Sequence, residues 1–94
     1  MDFEWNDIKS AINKIKHGVS FMEAVTVFSD DFGRLIIDPD HSSDEHRFLL
    51  LGMSVNFRLL VVSHCIRENE SIRLISARIA TRAERKQYEG EHNA

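Results

Sequence analysis

The segment from Arg73 to Arg85 constrains the fold of this chain most, because its pattern changes from that of a strand to that of a helix. Residues 72–77 alternate between apolar and other side chains, which is typical of a half-buried strand. Thr81 and Glu84 then have the spacing of a capping box, in which each residue satisfies a backbone N–H of the other at a helix start. The segment therefore predicts a strand that leads directly into a helix.

Basic residues are concentrated at this corner: it contains Arg73, Arg78, Arg82 and Arg85. A rigid corner that presents guanidinium groups is suited to holding phosphates. The net charge of the whole chain is −3, which argues against a protein that coats nucleic acid without regard to sequence. Residues 1–46 contain four basic and ten acidic residues, a net −6, whereas residues 47–94 contain eight and five, a net +3. This asymmetry indicates one basic and one acidic face, with RNA or DNA as the first partner to consider.

The first part of the chain predicts a short strand and two helices. Phe3–Trp5 alternates, and both aromatic rings are expected on the core side. Asn6 or Asp7 caps a helix that ends at His17, and Gly18 follows as the stop signal. Its apolar residues have i, i+3, i+4, i+7 spacing: Ile8, Ala11, Ile12 and Ile15. Ser20 and Glu23 repeat the capping-box spacing before a second stripe, so a helical hairpin is expected.

The remainder predicts strands and a last helix. The predicted strands are 34–37, 47–53, 58–66 and 72–77, and the last helix is 82–88, with Tyr88 closing over the sheet. Short connections favour hairpins. The expected fold is α+β, with the helices packed on one face of the sheet: a helical hairpin on an antiparallel sheet of about four strands, followed by a C-terminal helix. A length of 94 residues indicates a single domain, 1–94.

Cysteine usage and apolar runs limit the classes of protein further. Cys65 is the only cysteine, which leaves no internal disulfide or cysteine-based zinc site. The start of the chain is acidic and aromatic, unlike a signal peptide, and no apolar run approaches the roughly 20 residues that span a membrane. A cytoplasmic protein without membrane attachment is expected.

Several short segments in order along the chain resemble the BrnT family, the ribonuclease toxins of bacterial type II toxin–antitoxin pairs. They cover nearly the whole chain, and they are Phe3–Trp5, Asn13, Lys16–Phe21, Asp40–Ser42, Glu45, Arg47–Phe48, Leu51–Gly52, Leu60–Val62, His64, Arg67, Ile72–Arg73, Ile75–Arg78, Ala80–Thr81 and Glu84. Three positions differ from the family pattern. Asn6 stands where Asp is usual, His46 where an acidic residue often precedes the arginine, and Ile79 where lysine is frequent.

The resemblance implies a RelE-like fold, a cytoplasmic location and RNA cleavage that inhibits translation. It also implies neutralisation by a BrnA-type antitoxin in a two-plus-two complex, with operator DNA bound only through that antitoxin. Because His46 and Ile79 both lack the usual charge, a second reading stays open. In that reading the chain is a catalytically inactive partner-binding protein that acts as co-repressor with its antitoxin. A third reading is a plain interaction domain whose acidic face binds a basic protein.

For a ribonuclease, the arginines are the candidates for holding phosphate. A guanidinium matches two phosphate oxygens and remains charged. Arg67 and Arg78 are the strongest catalytic candidates, and the predicted RNA-binding residues are Arg47, Arg73, Arg82, Lys16 and His17. Arg73 and Arg78 are an odd number of residues apart, so both serve one face only if the strand ends or bulges near Ala77.

The group that transfers the proton is less defined. His64, Glu45, His46 and His17 are candidates, because imidazole titrates near neutral pH and a carboxylate can act as a base. His64 has the strand parity of apolar neighbours, which also fits a buried core histidine. Glu45 could instead form a salt bridge with Arg47. Lys16 and His17 are also the cationic residues typical of the last turn of a helix.

No metal or cofactor is expected. His64 and Cys65 are neighbours on a strand and face opposite ways, so they do not chelate one ion. The acidic residues around His41 and His46 lack EF-hand spacing. The sequence has no Gly-rich phosphate loop and no dinucleotide-binding fingerprint.

Overall fold

The structure is a computed structural model that describes residues 1–38 and 47–92, with side chains up to residue 90. Its elements, in chain order, are β1 (Phe3–Glu4), α1 (Asp7–His17), α2 (Phe21–Thr26), a 3₁₀ turn (Val27–Ser29), β2 (Arg34–Ile37), β3 (Arg47–Met53), β4 (Leu59–Ile66), β5 (Ile72–Ile79) and α3 (Arg82–His92). The α+β class is as predicted. β5 runs two residues beyond its predicted end, and α3 continues beyond Tyr88.

The sheet has five strands in the order β1-β5-β4-β3-β2. The neighbouring pairs β2–β3, β3–β4 and β4–β5 are antiparallel, and short connections had predicted hairpins for the last two, but β1 pairs with β5 in parallel. The prediction of an antiparallel sheet of about four strands was therefore incomplete. Phe3 aligns with Ile72, and the Ile72 N–H donates to the Asp2 carbonyl at 2.8 Å. β1 and β5 are about 70 residues apart in the chain, so the local sequence patterns of either strand give no sign of their pairing.

One face of the sheet carries the main core, which α2 and the 3₁₀ turn cover. Phe21, Ala24 and Val27 are fully buried there, against strand residues such as Leu60 and Val62. β1 and the residue after it add two aromatic rings to the same side: Phe3 packs edge-on against Phe28 at 5.1 Å between ring centroids, and Trp5 against Phe21 at 6.1 Å. The prediction that these rings point into the core is confirmed.

The opposite face carries a smaller cluster under α3. Tyr88 is buried against Leu51, Leu59 and Val61, and its hydroxyl donates to Asp30 Oδ2 at 2.6 Å. Burial, reinforced by the neighbouring Asp30 carboxylate, raises the pKa of Tyr88 to about 12. The expectation that Tyr88 closes over the sheet is confirmed, but the expectation that the helices share one face is wrong. Only two residues separate β5 from α3, so the helix folds back over the face that α2 leaves open.

Helix α1 lies along the edge of β5 rather than over the sheet, so the predicted hairpin is only partly realised. Asn6 caps its start by accepting the Lys9 N–H, and Gly18 ends it with a φ of 71°, a left-handed conformation that favours glycine. Asn13, its one buried residue, accepts the Ala77 N–H at 3.0 Å and donates to the Ala77 carbonyl at 2.9 Å and the Val19 carbonyl at 2.8 Å. A side-chain amide thus takes the place of a neighbouring strand.

An ion pair fixes the start of α2 to the β3–β4 turn. Ser20 Oγ accepts the Glu23 N–H at 3.1 Å, which is half of the predicted capping box. The Glu23 carboxylate turns away to accept hydrogen bonds from Arg58 and from Ser54 Oγ. These hydrogen bonds, from Arg58 above all, lower the pKa of Glu23 to about 2 despite its burial. Arg58 also donates to the Gly18 carbonyl at 3.1 Å, so it joins both helices to the sheet.

Candidate nucleic-acid interface

A β-bulge in β5 determines which way the arginines point. Ser76 pairs with Ser63 of β4, and Leu74 pairs with the next residue, His64, so Ile75 is an extra residue without an opposite partner. One extra residue reverses the alternation of the side chains that follow it. Arg73 pairs with Cys65 and Arg78 with Val61, and both partners are on the face that carries α3. Arg73 and Arg78 therefore share a face. The odd spacing of the two arginines required a bulge or a strand end near Ala77 for this, and the bulge lies at Ile75, two residues earlier.

Two further arginines lie on the same face. Arg47 of β3 pairs with Cys65 from the other side, so Arg47, Cys65 and Arg73 form one row across three strands. Arg34 of β2 is in register with Leu51, whose partner Val61 is opposite Arg78. We call this surface the arginine face; it consists of Arg34, Arg47, Arg73 and Arg78, all partly buried. α3 covers the face near Tyr88, at the end away from the row of Arg47 and Arg73.

The guanidinium of Arg78 is held by α3. Its two terminal nitrogens donate to the two carboxylate oxygens of Glu84 at 2.8 and 2.9 Å. Glu84 also accepts the Thr81 N–H at 2.8 Å and donates its own N–H to Thr81 Oγ1 at 3.2 Å, so the predicted capping box is present in both directions. The bond from Arg78 is the main reason that the pKa of Glu84 is lowered to about 2. A carboxylate thus engages both terminal nitrogens of Arg78 in this structure.

Arg67 lies at the end of β4, in the turn that leads to β5. Its backbone N–H donates to the Ser71 carbonyl at 2.9 Å, and its Nε is 3.5 Å from Glu4 Oε1. Glu4 is in register with Arg73, so this exposed pair borders the row of Arg47 and Arg73. An exposed pair at this distance is weak and exchanges readily with another anion.

Cationic side chains of α1 extend the arginine face beyond the edge of β5. Lys9, Lys16 and His17 line a groove of about 180 Å³ between the helix and the bulged part of β5. Ser76 forms part of the opposite wall, and its row lies between those of Arg73 and Arg78. Lys16 and His17, predicted both as RNA-binding residues and as a helix end, do lie at the end of α1. They also line the groove that borders the arginine face.

His64 lies on the other face of the sheet. It is 2% exposed, and its ring packs against Phe28 at 4.9 Å and Phe48 at 6.0 Å between centroids. Its Nδ1 is 3.1 Å from the Val62 carbonyl, and burial lowers its pKa. The structure therefore places His64 in the core and not beside the arginines.

Three other predicted site residues lie on α3 or outside the described residues. Arg82 is exposed in the first turn of α3. Glu45, the second proton-transfer candidate in the sequence, and His46 fall in residues 39–46, outside the described part of the chain.

The sequence did not single out Lys9, Arg34 or Glu4 for this surface. Lys9 could have been found from its i, i+7 spacing with Lys16, which places the two on one side of a helix. Arg34 and Glu4 carried no usable signal, because their position depends on strand pairings far apart in the chain.

Within residues 1–38 and 47–92, no three histidine, cysteine, aspartate or glutamate side chains converge as a metal site would require. In the same residues, no helix has both the length and the apolar character needed to cross a membrane.

Comparison with known proteins identifies a family and a solved structure of similar fold. A family model described as "Ribonuclease toxin, BrnT, of type II toxin-antitoxin system" matches residues 5–84. The fold is similar to the 1.1 Å crystal structure of the ribonuclease toxin BrnT of Brucella abortus, with a TM-score of 0.68 and 21% sequence identity over 87% of this chain and 99% of that one. A search of curated proteins gives no match.

Proposed function

Because this chain belongs to the BrnT family of ribonuclease toxins of type II toxin–antitoxin systems, we propose that it cleaves RNA on the arginine face. The observation that carries the proposal is the bulge at Ile75, which brings Arg73 and Arg78 onto the side of the sheet that holds Arg47. These arginines come from β3 and β5, the two strands that flank β4 in a rigid sheet, and Lys9, Lys16 and His17 border them across the groove. A surface of this kind binds an RNA backbone through several phosphates at once.

The arginines would stabilise the charge that develops during cleavage. When the 2′-hydroxyl attacks the neighbouring phosphorus, a second negative charge accumulates on the non-bridging oxygens, and preorganised guanidiniums lower the barrier. Arg47 and Arg73 lie on either side of Cys65 in one row across the sheet, and the scissile phosphate would bind between them. Arg78 would contribute after exchanging Glu84 for a phosphate oxygen, and Arg67 after exchanging Glu4. Cleavage of this kind leaves a 2′,3′-cyclic phosphate and requires no metal ion.

His17 is the histidine that the geometry favours for proton transfer. It is partly buried at the end of α1, and it lines the groove with Ser76, next to the rows of Arg73 and Arg78. Imidazole is effective near neutral pH because its intrinsic pKa lies close to it. His64 takes no part in this mechanism, because the sheet separates it from the arginines, and Glu45 is the second candidate for proton transfer.

We further propose that the toxin acts in the cytoplasm and inhibits translation by destroying RNA. Its inhibitor would be a BrnA-type antitoxin in a two-plus-two complex, and the chain would reach operator DNA only through that partner. The alternative role, an inactive co-repressor, is supported by one observation. Arg78 is engaged at both of its terminal nitrogens by Glu84, so the resting protein presents fewer free cations than its sequence suggests.

The test is cleavage of a defined single-stranded RNA by the purified chain in buffer with EDTA. Wild type, Arg73→Ala and Arg85→Ala are compared at equal folded concentration. Arg85 is a matched control, because it is exposed on α3 and lies outside the arginine face. We expect products that end in 2′,3′-cyclic phosphate from wild type and Arg85→Ala, and a rate at least about 100-fold lower from Arg73→Ala.

Induction of the same three variants in a bacterial culture tests the cellular role. Growth arrest with RNA loss is expected for wild type and Arg85→Ala but not for Arg73→Ala at equal abundance. Soluble wild type that neither cleaves RNA nor arrests growth would overturn the ribonuclease proposal and favour the co-repressor.

A further inference from the structure

Helix α1 carries an apolar stripe on its exposed side, and Ile12 at the margin of the stripe also lines the groove beside β5. Ile8, Ile12 and Ile15 are 72%, 55% and 87% exposed. Residues 8, 12 and 15 recur at the spacing of one helix face, and the small residue Ala11, also exposed, lies between them. Four apolar residues in an uninterrupted stripe on one surface helix are typical of a binding surface, whereas a single exposed isoleucine would need no explanation.

The orientation of α1 is fixed by Asn13, on the other side of the helix. Its three hydrogen bonds to Ala77 and Val19 hold that side of α1 against the edge of β5. With 3.6 residues per turn, Ile8 and Ile15 then point nearly opposite to Asn13. The outward stripe therefore follows from the anchoring of the helix, and rotation of α1 to bury it would break those bonds.

Basic residues border the stripe on both sides. Lys14 flanks it on one side, and Lys9 and Lys16 flank it on the other; all three are exposed. Asp7, in the first turn, is the one acidic residue of α1. An apolar seam between positive borders is complementary to a helix that presents an apolar seam between acidic borders. A second copy of α1 would instead place lysines against lysines, which opposes self-association through this surface.

We propose that the outer face of α1, formed by Ile8, Ala11, Ile12 and Ile15 with their flanking lysines, is the docking surface for an acidic amphipathic helix of the antitoxin. The inference rests on the proposed function only in assigning the partner to the antitoxin. α1 has 11 residues, a length of about 16 Å, so a partner helix of three turns covers the whole stripe. Leucine or isoleucine at i, i+3/i+4 and i+7 of that helix would pack on the isoleucines, and glutamate or aspartate beside them would meet the lysines.

This position of the partner explains how it would block the toxin without entering the arginine face. Lys9 and Lys16 border the stripe on one side and line the groove next to Ser76 on the other. Acidic residues that pair with these two lysines remove their charge from the RNA-binding surface. Partner and RNA therefore compete for the same two side chains.

The test measures binding of the full chain to a purified BrnA-type antitoxin by titration calorimetry. The double variant Ile8→Glu/Ile15→Glu puts two carboxylates on the apolar stripe, and Lys14→Glu reverses the charge on one side of it. Ile37→Glu is the matched control, because Ile37 is 65% exposed but lies on β2, at the far edge of the sheet. We expect the double variant to weaken the Kd by about 100-fold or more and Lys14→Glu by several-fold, with Ile37→Glu unchanged.

The competing outcomes are separable. Loss of binding in Ile37→Glu with full binding in the double variant would overturn the proposal and place the antitoxin on β2. A wild-type dimer in sedimentation that the double variant abolishes, with antitoxin affinity unchanged, would overturn it in favour of a second copy. Equal melting temperatures show that the variants fold, which the exposure of both isoleucines predicts. RNA cleavage by the same samples is read independently, so a chain that binds the antitoxin but does not cut RNA would contradict the proposed function and leave this surface standing.

Discussion

Arg73 and Arg78 lie on the same face of β5 although they are an odd number of residues apart, because Ile75 between them is accommodated in a bulge. In a regular strand one of the two would point into the core beside Leu74 and Ala77. The bulge avoids this burial of charge, and its residues Ile75 and Ser76 line the groove beside α1.

Glu84→Gln is expected to raise RNA affinity about two- to fivefold at low salt. The substitution removes the charge that competes with phosphate for Arg78, while a glutamine oxygen still accepts the Thr81 N–H. The gain is limited because Arg78 is 39% exposed and solvent screens the pair. Fluorescence anisotropy with a labelled RNA measures the change, and Glu89→Gln on the exposed side of the same helix is the control. An affinity that falls or stays at the wild-type value would show that Glu84 does not compete for Arg78.

The protein should lose stability in acid in a way that depends on Glu23. Its pKa is lowered from 4.5 to about 2 in the folded state, so the ionised form is favoured on folding. This contribution is complete above pH 4.5 and is lost as the pH falls towards 2. Because Arg58 is 37% exposed, we expect about 1–2 kcal/mol rather than the full value of the shift.

Urea unfolding at pH 7, 4 and 3 measures this effect. Glu23→Gln should lower the stability at pH 7 and reduce its dependence on pH by that amount. Glu68→Gln, in the exposed β4–β5 turn, should leave the wild-type profile unchanged. If Glu23→Gln retains the wild-type dependence on pH, the acid sensitivity originates elsewhere.

Gly52→Ala is expected to destabilise the protein by about 1–3 kcal/mol. A Cβ at Gly52 would lie 2.7 Å from Val27 Cγ1, and Val27 is fully buried with a stiff side chain. In a double-mutant cycle, Val27→Ala should relieve much of this cost. Gly90→Ala is the control, because a Cβ there meets nothing within 4 Å and alanine favours helix α3. Additive effects at positions 27 and 52 would show that the two residues do not clash.

Asn13→Asp should destabilise the protein by about 3 kcal/mol or more at neutral pH. A carboxylate would face the carbonyls of Val19 and Ala77, which now accept hydrogen bonds from the amide. Burial against these oxygens raises the pKa of the new side chain, so its protonated form regains one donor. The deficit relative to wild type should therefore shrink as the pH falls, and chemical unfolding at pH 7 and pH 5 compares the two. A deficit that is the same at both pH values would show that lost packing, and not the carboxylate, is responsible.

The sequence predicted the features that depend on local chemistry. Thr81 and Glu84, Ser20 and Glu23, and Gly18 all mark helix ends correctly, because a cap is decided within four residues. The strands with clear alternation were predicted to within two residues.

Features that depend on distant parts of the chain were not predicted. The apolar period of α1 identified the helix but not the direction of its stripe, which Asn13 determines through Ala77. In the same way, the parity of His64 was compatible with either face until the pairing with Phe48 placed it in the core. The need for a bulge between Arg73 and Arg78 could be stated in advance, but its position could not, because the register with β4 fixes it.

The amide of Asn13 has a consequence for the solubility of the folded chain. An open strand edge invites another chain to add a strand, and that is a common route to aggregation. At Ala77 a single side chain covers the backbone where β1 no longer runs beside β5. Partial unfolding of α1 would therefore uncover a stretch of sheet edge as well as dismantle the groove, so a lesion in this helix should appear as misassembly before it appears as a loss of secondary structure.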